Sequence, residues 1–170
     1  MNISNPKVII VDDELHVREM LSMMMSTINF EVIGEAANGK DVLPLIQKEK
    51  PDLILLDTNM PFMNGEEVLE KISRHSQDYC IIMLSIISDT ETIKKCLNLG
   101  VSYFIRKDTP IPKMINLVQE TWKAFEEKRI KVNKYDLSEL LEEIKRDEMI
   151  VYPDNREISQ DDIEELFSVG

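Results

Sequence analysis

The strongest constraint on the fold is an alternation of two periods. Short apolar runs that read as strands alternate with stretches of helical periodicity up to about residue 128. The strand candidates are "KVIIV" (7–11), "FEVIGEA" (30–36), "DLILLD" (52–57), "CIIML" (80–84) and "SYFIR" (102–106). Residues 14–28, 38–50, 65–75, 89–100 and 111–128 carry apolar side chains at helical spacing. Pro44 is expected to kink the second helix or to mark its first turn. Gly100 is expected to close the fourth as a C-cap. Central runs that are apolar on both faces predict parallel strands covered by helices on both sides. The expected fold is therefore a doubly wound α/β sandwich built from five β-α units. In such folds, ligands bind beyond the carboxyl ends of the strands, where the strand order reverses.

The polar residues collect at those ends. The first strand runs into Asp12-Asp13-Glu14, the third ends on Asp57, the fourth meets Ser85, and the fifth runs into Arg106-Lys107. Each has an ordinary explanation when taken alone. Asp12 or Asp13 could cap the helix that follows, Asp57 could begin a turn, Ser85 could be a loop hydroxyl, and Lys107 could be a solvated charge. Taken together they make a crevice of carboxylates with one amine and one hydroxyl. Close carboxylates repel unless protons or a cation compensate, and hard oxygen ligands suit Mg²⁺. A divalent ion, an amine and a hydroxyl around a carboxylate can neutralise a phosphoryl group. Asp57 could then act as a nucleophile that forms an acyl phosphate.

The stretches "VDDE" (11–14), "EAANGKDVL" (35–43), "PDLILLDTNMPFMNG" (51–65), "MLS" (83–85) and "LNLGVSYFIRKD" (97–108) resemble the receiver domain of two-component response regulators, of the CheY-like type. The resemblance covers about residues 7–128 and implies the strand order 2-1-3-4-5. It implies that Asp57 accepts a phosphoryl group from a phosphohistidine on a sensor histidine kinase or phosphotransfer protein. It implies Mg²⁺ held by Asp13, Asp57 and the backbone carbonyl of Asn59, with Asp12 acting through water. By the same resemblance Lys107 pairs with the phosphoryl group, and Ser85 and Phe104 form the switch that remodels a protein-binding face. The chain is then a signalling switch rather than an enzyme with a separate substrate. Three positions depart from the family's habit, one of them Pro44 inside the second helical stretch. Ile86 follows Ser85, where a small residue is common, and is expected to narrow access to Asp57. Asp108 follows Lys107 in place of proline.

Other function classes fare worse. A haloacid-dehalogenase-type phosphatase needs a second aspartate two residues after its nucleophile, and Asn59 occupies that position. The Asp12-Asp13-Asp57-Lys107 set argues against a receiver that is never phosphorylated. His16 and His75 sit in helical patterns away from the strand ends, so the phosphoryl donor is expected on another protein. Cys80 and Cys96 lack metal-ligand spacing and form no disulfide framework, which fits a reducing, cytoplasmic setting. The N-terminal residues carry no signal pattern, and no apolar run approaches the roughly 18–20 residues of a membrane span.

Residues 129–170 are expected to form a separate, mostly helical extension beyond the domain at 1–128. Of the net charge of −12, residues 136–170 hold −9, from twelve acidic and three basic side chains. Such a tail repels a phosphate backbone, so DNA is a poor partner. A truncated or atypical transcriptional regulator is therefore the weaker alternative. "DLSELLEEIKRDE" (136–148) places Leu137, Leu140, Leu141 and Ile144 on one stripe, and Ser159 to Asp162 has the form of a capping box. The plain reading of the tail is an appendage that packs on the receiver or is partly disordered; the sharper one is that residues 136–167, the face near Phe104, or both engage a downstream protein or a second copy of the chain.

Overall fold

The computed structural model describes residues 5–73, 79–86 and 90–134, with side chains through Arg129. The readings of the tail at 136–170, and of His75, lie outside these residues. Five strands, β1 (Lys7–Val11), β2 (Glu31–Ala36), β3 (Leu53–Asp57), β4 (Cys80–Ser85) and β5 (Tyr103–Arg106), form one parallel sheet. Their order is β2-β1-β3-β4-β5. The helices are α1 (Leu15–Thr27), α2 (Val42–Glu49), α3 (Gly65–Ile72), α4 (Thr90–Asn98) and α5 (Ile111–Lys134).

Successive strand residues point to opposite faces, and the core divides accordingly. Val8, Ile10, Leu53, Leu55, Ile82 and Leu84 pack under α1 and α5, against Leu21, Met25, Met114 and Val118. Ile9, Val11, Ile54, Leu56, Ile81 and Met83 pack under α2, α3 and α4, against Val42, Val68, Leu69, Ile93 and Leu97. Each fully buried Leu, Ile or Val stabilises the fold by about 1.5–3 kcal/mol relative to exposure. Trp122 on α5 meets Phe30 edge-on at 5.6 Å and stacks on Phe125 at 5.8 Å. The Phe30 pair ties the long helix to the start of β2, while the Phe125 stack lies within α5 itself.

Three local features refine the expected elements. The second helical stretch divides into a 3-10 turn at Gly39–Asp41 and the eight-residue α2. Pro44 falls in the first turn of α2, where an absent N–H costs nothing. Gly100 closes α4 as expected, with φ of 96°. Its N–H donates to Leu97 O at 3.0 Å, and Val101 N–H donates to Cys96 O at 3.3 Å, the paired bonds of a Schellman end. Helix α5 is longer than its pattern suggests, 24 residues or about 36 Å. The division expected at residue 128 therefore falls within α5.

Main-chain bonds carry the sheet's rigidity one residue past the strands. Asp12 N–H donates to Ala36 O at 3.0 Å, Thr58 N–H to Leu84 O at 2.9 Å, and Lys107 N–H to Ser85 O at 2.9 Å. The residues that open the crevice are thus held by the ladder itself. Gly65, the first residue of α3, adds a steric constraint. A Cβ there would stand 2.3 Å from the carbonyl oxygen of Asp57, so any side chain would displace the strand end. The helix starts cleanly because Asn64 caps it: Asn64 Oδ1 accepts from Glu67 N–H, and Glu67 Oε2 accepts from Asn64 N–H, both at 2.9 Å.

Candidate functional site

The carboxyl ends of β1, β3 and β5 meet at one ammonium group. Lys107 Nζ lies 2.7 Å from Asp12 Oδ2, 3.1 Å from Asp57 Oδ2 and 3.7 Å from Glu14 Oε1. The side chains are 12% exposed for Lys107, 0% for Asp12 and 3% for Asp57. Each buried carboxylate divides its two oxygens between separate tasks. Asp12 Oδ1 accepts from Glu14 N–H at 2.9 Å, and Asp57 Oδ1 accepts from Asn59 N–H at 3.1 Å. Both bonds reach two residues ahead and shape turns, as the turn explanation has it for Asp57; neither caps α1, which begins after Glu14 with no side-chain cap. The Oδ2 atoms instead face the pocket, where among the described residues they have the charge contact with Lys107 and no aligned hydrogen bond.

This arrangement is electrostatically unbalanced. Asp12, Asp13 and Asp57 each present an oxygen within 4.8 Å of the others'. One lysine offsets only one of the three charges, which leaves a formal excess of two. Burial pushes the Asp57 carboxyl up to about 6, and Asp12 adds to the push. The Asn59 N–H and the Lys107 charge oppose it without cancelling it. Burial pulls the Lys107 ammonium down, but Asp12 and Asp57 outweigh it and hold that group above its ordinary range. A divalent cation fits here on chemical grounds: three hard oxygens, two of them buried and short of partners, with a net demand for two positive charges.

The other expected site residues occupy this neighbourhood to different degrees. Ser85 is fully buried at the end of β4, one residue further along the strand than the apolar pattern suggests. Asn59 is exposed just beyond Asp57. Phe104 is buried in the cluster with Met83, Ile93 and Leu97, so its ring already lies inside the fold. Ile86 is more than half exposed. Asp108 makes a forked ion pair with Arg106, whose Nε donates at 2.8 Å and whose second nitrogen also donates. His16 stays out on α1, with Nε2 3.5 Å from Glu14 Oε2. Cys80 and Cys96 are buried thiols outside any disulfide, and burial raises the Cys80 thiol to about 12. Among the described residues, no helix is long and apolar enough to cross a membrane.

Two groups at the site escape sequence reasoning. Arg18 donates from Nη1 to the carbonyl oxygens of Asp12 at 2.8 Å and Asp13 at 3.2 Å. Its partners are backbone atoms, which leave no mark in a sequence. The only available signal was an arginine beside the apolar stripe of α1, next to Val17 and one turn before Leu21. Thr58 is buried, and among the described residues its Oγ1 has no hydrogen-bond partner.

Residues 8–119 match the family model of the response regulator receiver domain. The chain belongs to that family. Over 104 residues the receiver domain is 43% identical to a protein-glutamate methylesterase/protein-glutamine glutaminase of Clostridium acetobutylicum, covering 59% of this chain and 30% of that protein. It is 36% identical to the uncharacterized transcriptional regulatory protein YhcZ of Bacillus subtilis, covering 66% of this chain and 53% of that one. The chain thus spans about half, or less, of these curated relatives. Among solved structures, a CheY-like receiver domain from Methanospirillum hungatei superposes with a TM-score of 0.69 at 26% identity, over 74% of this chain and 99% of that one. A chain of a CheX-CheY-BeF3-Mg²⁺ complex from Borrelia burgdorferi superposes with a TM-score of 0.65 at 27% identity, over 68% and 88% of the two chains. Membership places this receiver domain in phosphorylation-based two-component signalling.

Proposed function

We propose that this receiver domain is phosphorylated on Asp57 by a phosphohistidine of a sensor histidine kinase or phosphotransfer protein, and that the phosphoryl group switches a protein-binding surface. The carrying observation is the Lys107 ammonium, shared between Asp12 and Asp57 inside a cluster of three carboxylates. An Asp57 oxygen attacks phosphorus, the phosphorus–nitrogen bond breaks, and the imidazole leaves with that electron pair and takes up a proton. The product is an acyl phosphate on a buried strand end. With its pKa at about 6, Asp57 is mostly ionised at neutral pH and so remains a nucleophile. Lys107 is already within reach of the Asp57 oxygen and can follow the charge onto the phosphoryl group.

Asp13, Asp57 and the backbone carbonyl of Asn59 would hold Mg²⁺, with Asp12 acting through water. When bound, the ion supplies charge neutralisation for the carboxylates and the incoming phosphoryl oxygens. Ser85 is the proposed hydroxyl partner of the phosphoryl group. Phe104, three residues before Lys107 on β5, is the proposed aromatic element of the switch; its buried position here is one of the two states such a switch requires. The added charge, about −1.5 to −2, biases that equilibrium. The output surface is proposed to be the face near Phe104, residues 136–167, or both. Its partner is a downstream protein or a second copy of the chain. The proposed division is a receiver domain at 1–128 and an extension at 129–170.

Intact-mass measurement after incubation with acetyl phosphate and Mg²⁺ tests the assignment. The expected result is one phosphoryl group on the wild type and none on Asp57→Asn. An adduct that persists on Asp57→Asn overturns it, as does its absence from wild type incubated with the cognate kinase.

A further inference from the structure

We infer that Arg18 is a positioning residue for the acidic pocket: by clamping the peptide that carries Asp13, it sets the affinity of the pocket for a divalent cation. The inference rests on the Mg²⁺ reading above and deepens it. Arg18 sits one turn into α1, with a side chain only 13% exposed. Nη1 donates to Asp12 O at 2.8 Å and to Asp13 O at 3.2 Å, while Nε donates to Glu35 Oε2 at 3.1 Å. One planar guanidinium thereby ties the exit of β1 to the end of β2.

The two aspartates depend on this clamp to different degrees. Asp12 is held independently by the Ala36 carbonyl at 3.0 Å, by its own bond from Glu14 N–H at 2.9 Å, and by Lys107 at 2.7 Å. Asp13 is exposed and lies just past the last strand residue. Among the described residues, no side chain other than Arg18 hydrogen-bonds to it. Yet Asp13 brings one of the three carboxylate oxygens of the cluster. A ligand on an unfixed peptide pays the ordering entropy at the moment of binding, whereas a clamped one does not. Groups that orient metal ligands in this way are worth roughly 10–100-fold in affinity.

Charge works in the opposite direction, because Arg18 is a cation beside a cation site. Glu35 decides the balance. Its carboxylate lies 3.1 Å from Nε, so the pair is close to neutral when seen from the pocket. Positioning therefore outweighs repulsion, and removing Arg18 weakens cation binding. Lysine cannot substitute, because a single ammonium lacks the planar fork that reaches a carboxylate on one side and two carbonyls on the other.

The test is calorimetric titration of Mg²⁺ into the unphosphorylated full chain, for wild type, Arg18→Ala, Arg18→Lys, Glu35→Gln and Asp13→Asn. Arg18→Ala and Arg18→Lys are expected to raise the Mg²⁺ dissociation constant by about 10–100-fold. In phosphorylation by acetyl phosphate, their half-saturating Mg²⁺ concentration rises by the same factor. Their rate at saturating Mg²⁺ changes far less, which a merely structural lesion would not produce. Glu35→Gln leaves the carbonyl contacts but exposes the Arg18 charge, so it gives a smaller weakening that added salt suppresses. Both Arg18 variants binding Mg²⁺ within about twofold of wild type, well below the effect of losing a group that orients a metal ligand, overturns the inference. So does a reduced rate at saturating Mg²⁺ with unchanged half-saturation. If Arg18→Ala does not fold, Arg18→Lys and the salt response of Glu35→Gln still decide the matter. Asp13→Asn separates the two levels. Wild-type affinity in that variant overturns the metal reading itself, whereas lost affinity there with intact affinity in the Arg18 variants overturns only the clamp.

Discussion

Strand β3 has a carboxylate at each end of its apolar run, and the two sit in opposite kinds of surroundings. Asp52, just before the strand, is partly exposed and engaged on both oxygens: Oδ2 accepts from Lys7 N–H at 2.8 Å, and Oδ1 lies 3.7 Å from Arg129 on α5. Asp57, at the other end, is buried, has one oxygen in a loop bond, and shares one lysine with a second buried carboxylate. The same residue type on the same strand is thus a fastener at the amino edge and a poised group at the carboxyl edge. The difference comes from the neighbours. Parallel βαβ crossovers set the carboxyl end of β1 directly beside that of β3, and Lys107, just past β5, reaches across β4 to both. Main-chain bonds run along both edges, at the amino edge Asp52 N–H to Lys7 O and Cys80 N–H to Asp52 O, both at 2.8 Å, but among the described residues Asp52 meets no second buried carboxylate there.

The contrast is broken most severely by removing the shared cation. Lys107→Ala strands Asp12 and Asp57 together, buried and without compensation. Removing one partner of a buried ion pair typically costs about 3–5 kcal/mol. Urea denaturation in EDTA at pH 8 should show a loss of that size, with Mg²⁺ restoring a substantial part. Phosphorylation by acetyl phosphate should fall by about 10²–10³-fold, the usual effect of deleting one preorganised electrostatic partner. A Lys107→Ala protein as stable and as reactive as wild type would mean that the ammonium is only a surface charge.

A smaller effect, opposite in sign, is expected when the strained charge itself is removed. A carboxylate whose pKa is raised from 3.8 to about 6 by folding binds its proton more tightly in the native state. The stability this lends is present below pH ~4 and is lost as pH rises through about 6. Above that, the ionised group costs the metal-free fold about 3 kcal/mol. Asp57→Asn should therefore be more stable than wild type in EDTA at pH 7–8, by up to about that amount, with the gap closing toward pH 4. Denaturant midpoints across that range measure the gap. A gap that stays constant with pH, or a less stable variant at pH 8, would show that Lys107 already neutralises the Asp57 charge. Mg²⁺ should narrow the gap above pH 6 by stabilising the wild type more than the variant.

How much of this was legible depends on where each signal resides. The five strands are written in their apolar runs, and the acidic and basic ends that follow them mark the crevice. Cap and turn roles stood as rivals to a pocket role for Asp12 and Asp57. In the structure each carboxylate has one oxygen in a turn bond and the other beside Lys107, while α1 starts after Glu14 without a side-chain cap, so the cap reading of Asp12 does not hold. The split of the second helix was not legible, since it depends on Gly39 packing where a Cβ would stand 2.4 Å from Met63 O. The reach of α5 past residue 128 was not legible either, because its last turns lack the apolar periodicity on which helix reading relies. Arg18 was missed because backbone carbonyls have no letter. The family resemblance supplied what spacing alone could not, namely distinct roles for Ser85, Asn59 and Phe104, and those roles remain tied to the phosphorylation experiment.

The mildest test addresses the quiet end of β3. Asp52→Asn keeps an amide oxygen that can still accept from Lys7 N–H, so the bond that matters at the amino edge survives. What is lost is the attraction of Arg129, at 3.7 Å and with both side chains partly in water. Pairs of that kind contribute about 0–1 kcal/mol. The expected loss is therefore about 0.5 kcal/mol or less, reduced further by salt, with Mg²⁺ affinity and phosphorylation unchanged. The same Asp-to-Asn exchange would then be nearly silent at one end of the strand and would stabilise the metal-free fold at the other. If Asp52→Asn instead lowers Mg²⁺ affinity or phosphorylation, the two edges of the sheet are coupled through β3. The carboxyl-edge site could then no longer be treated as set by its own neighbours alone.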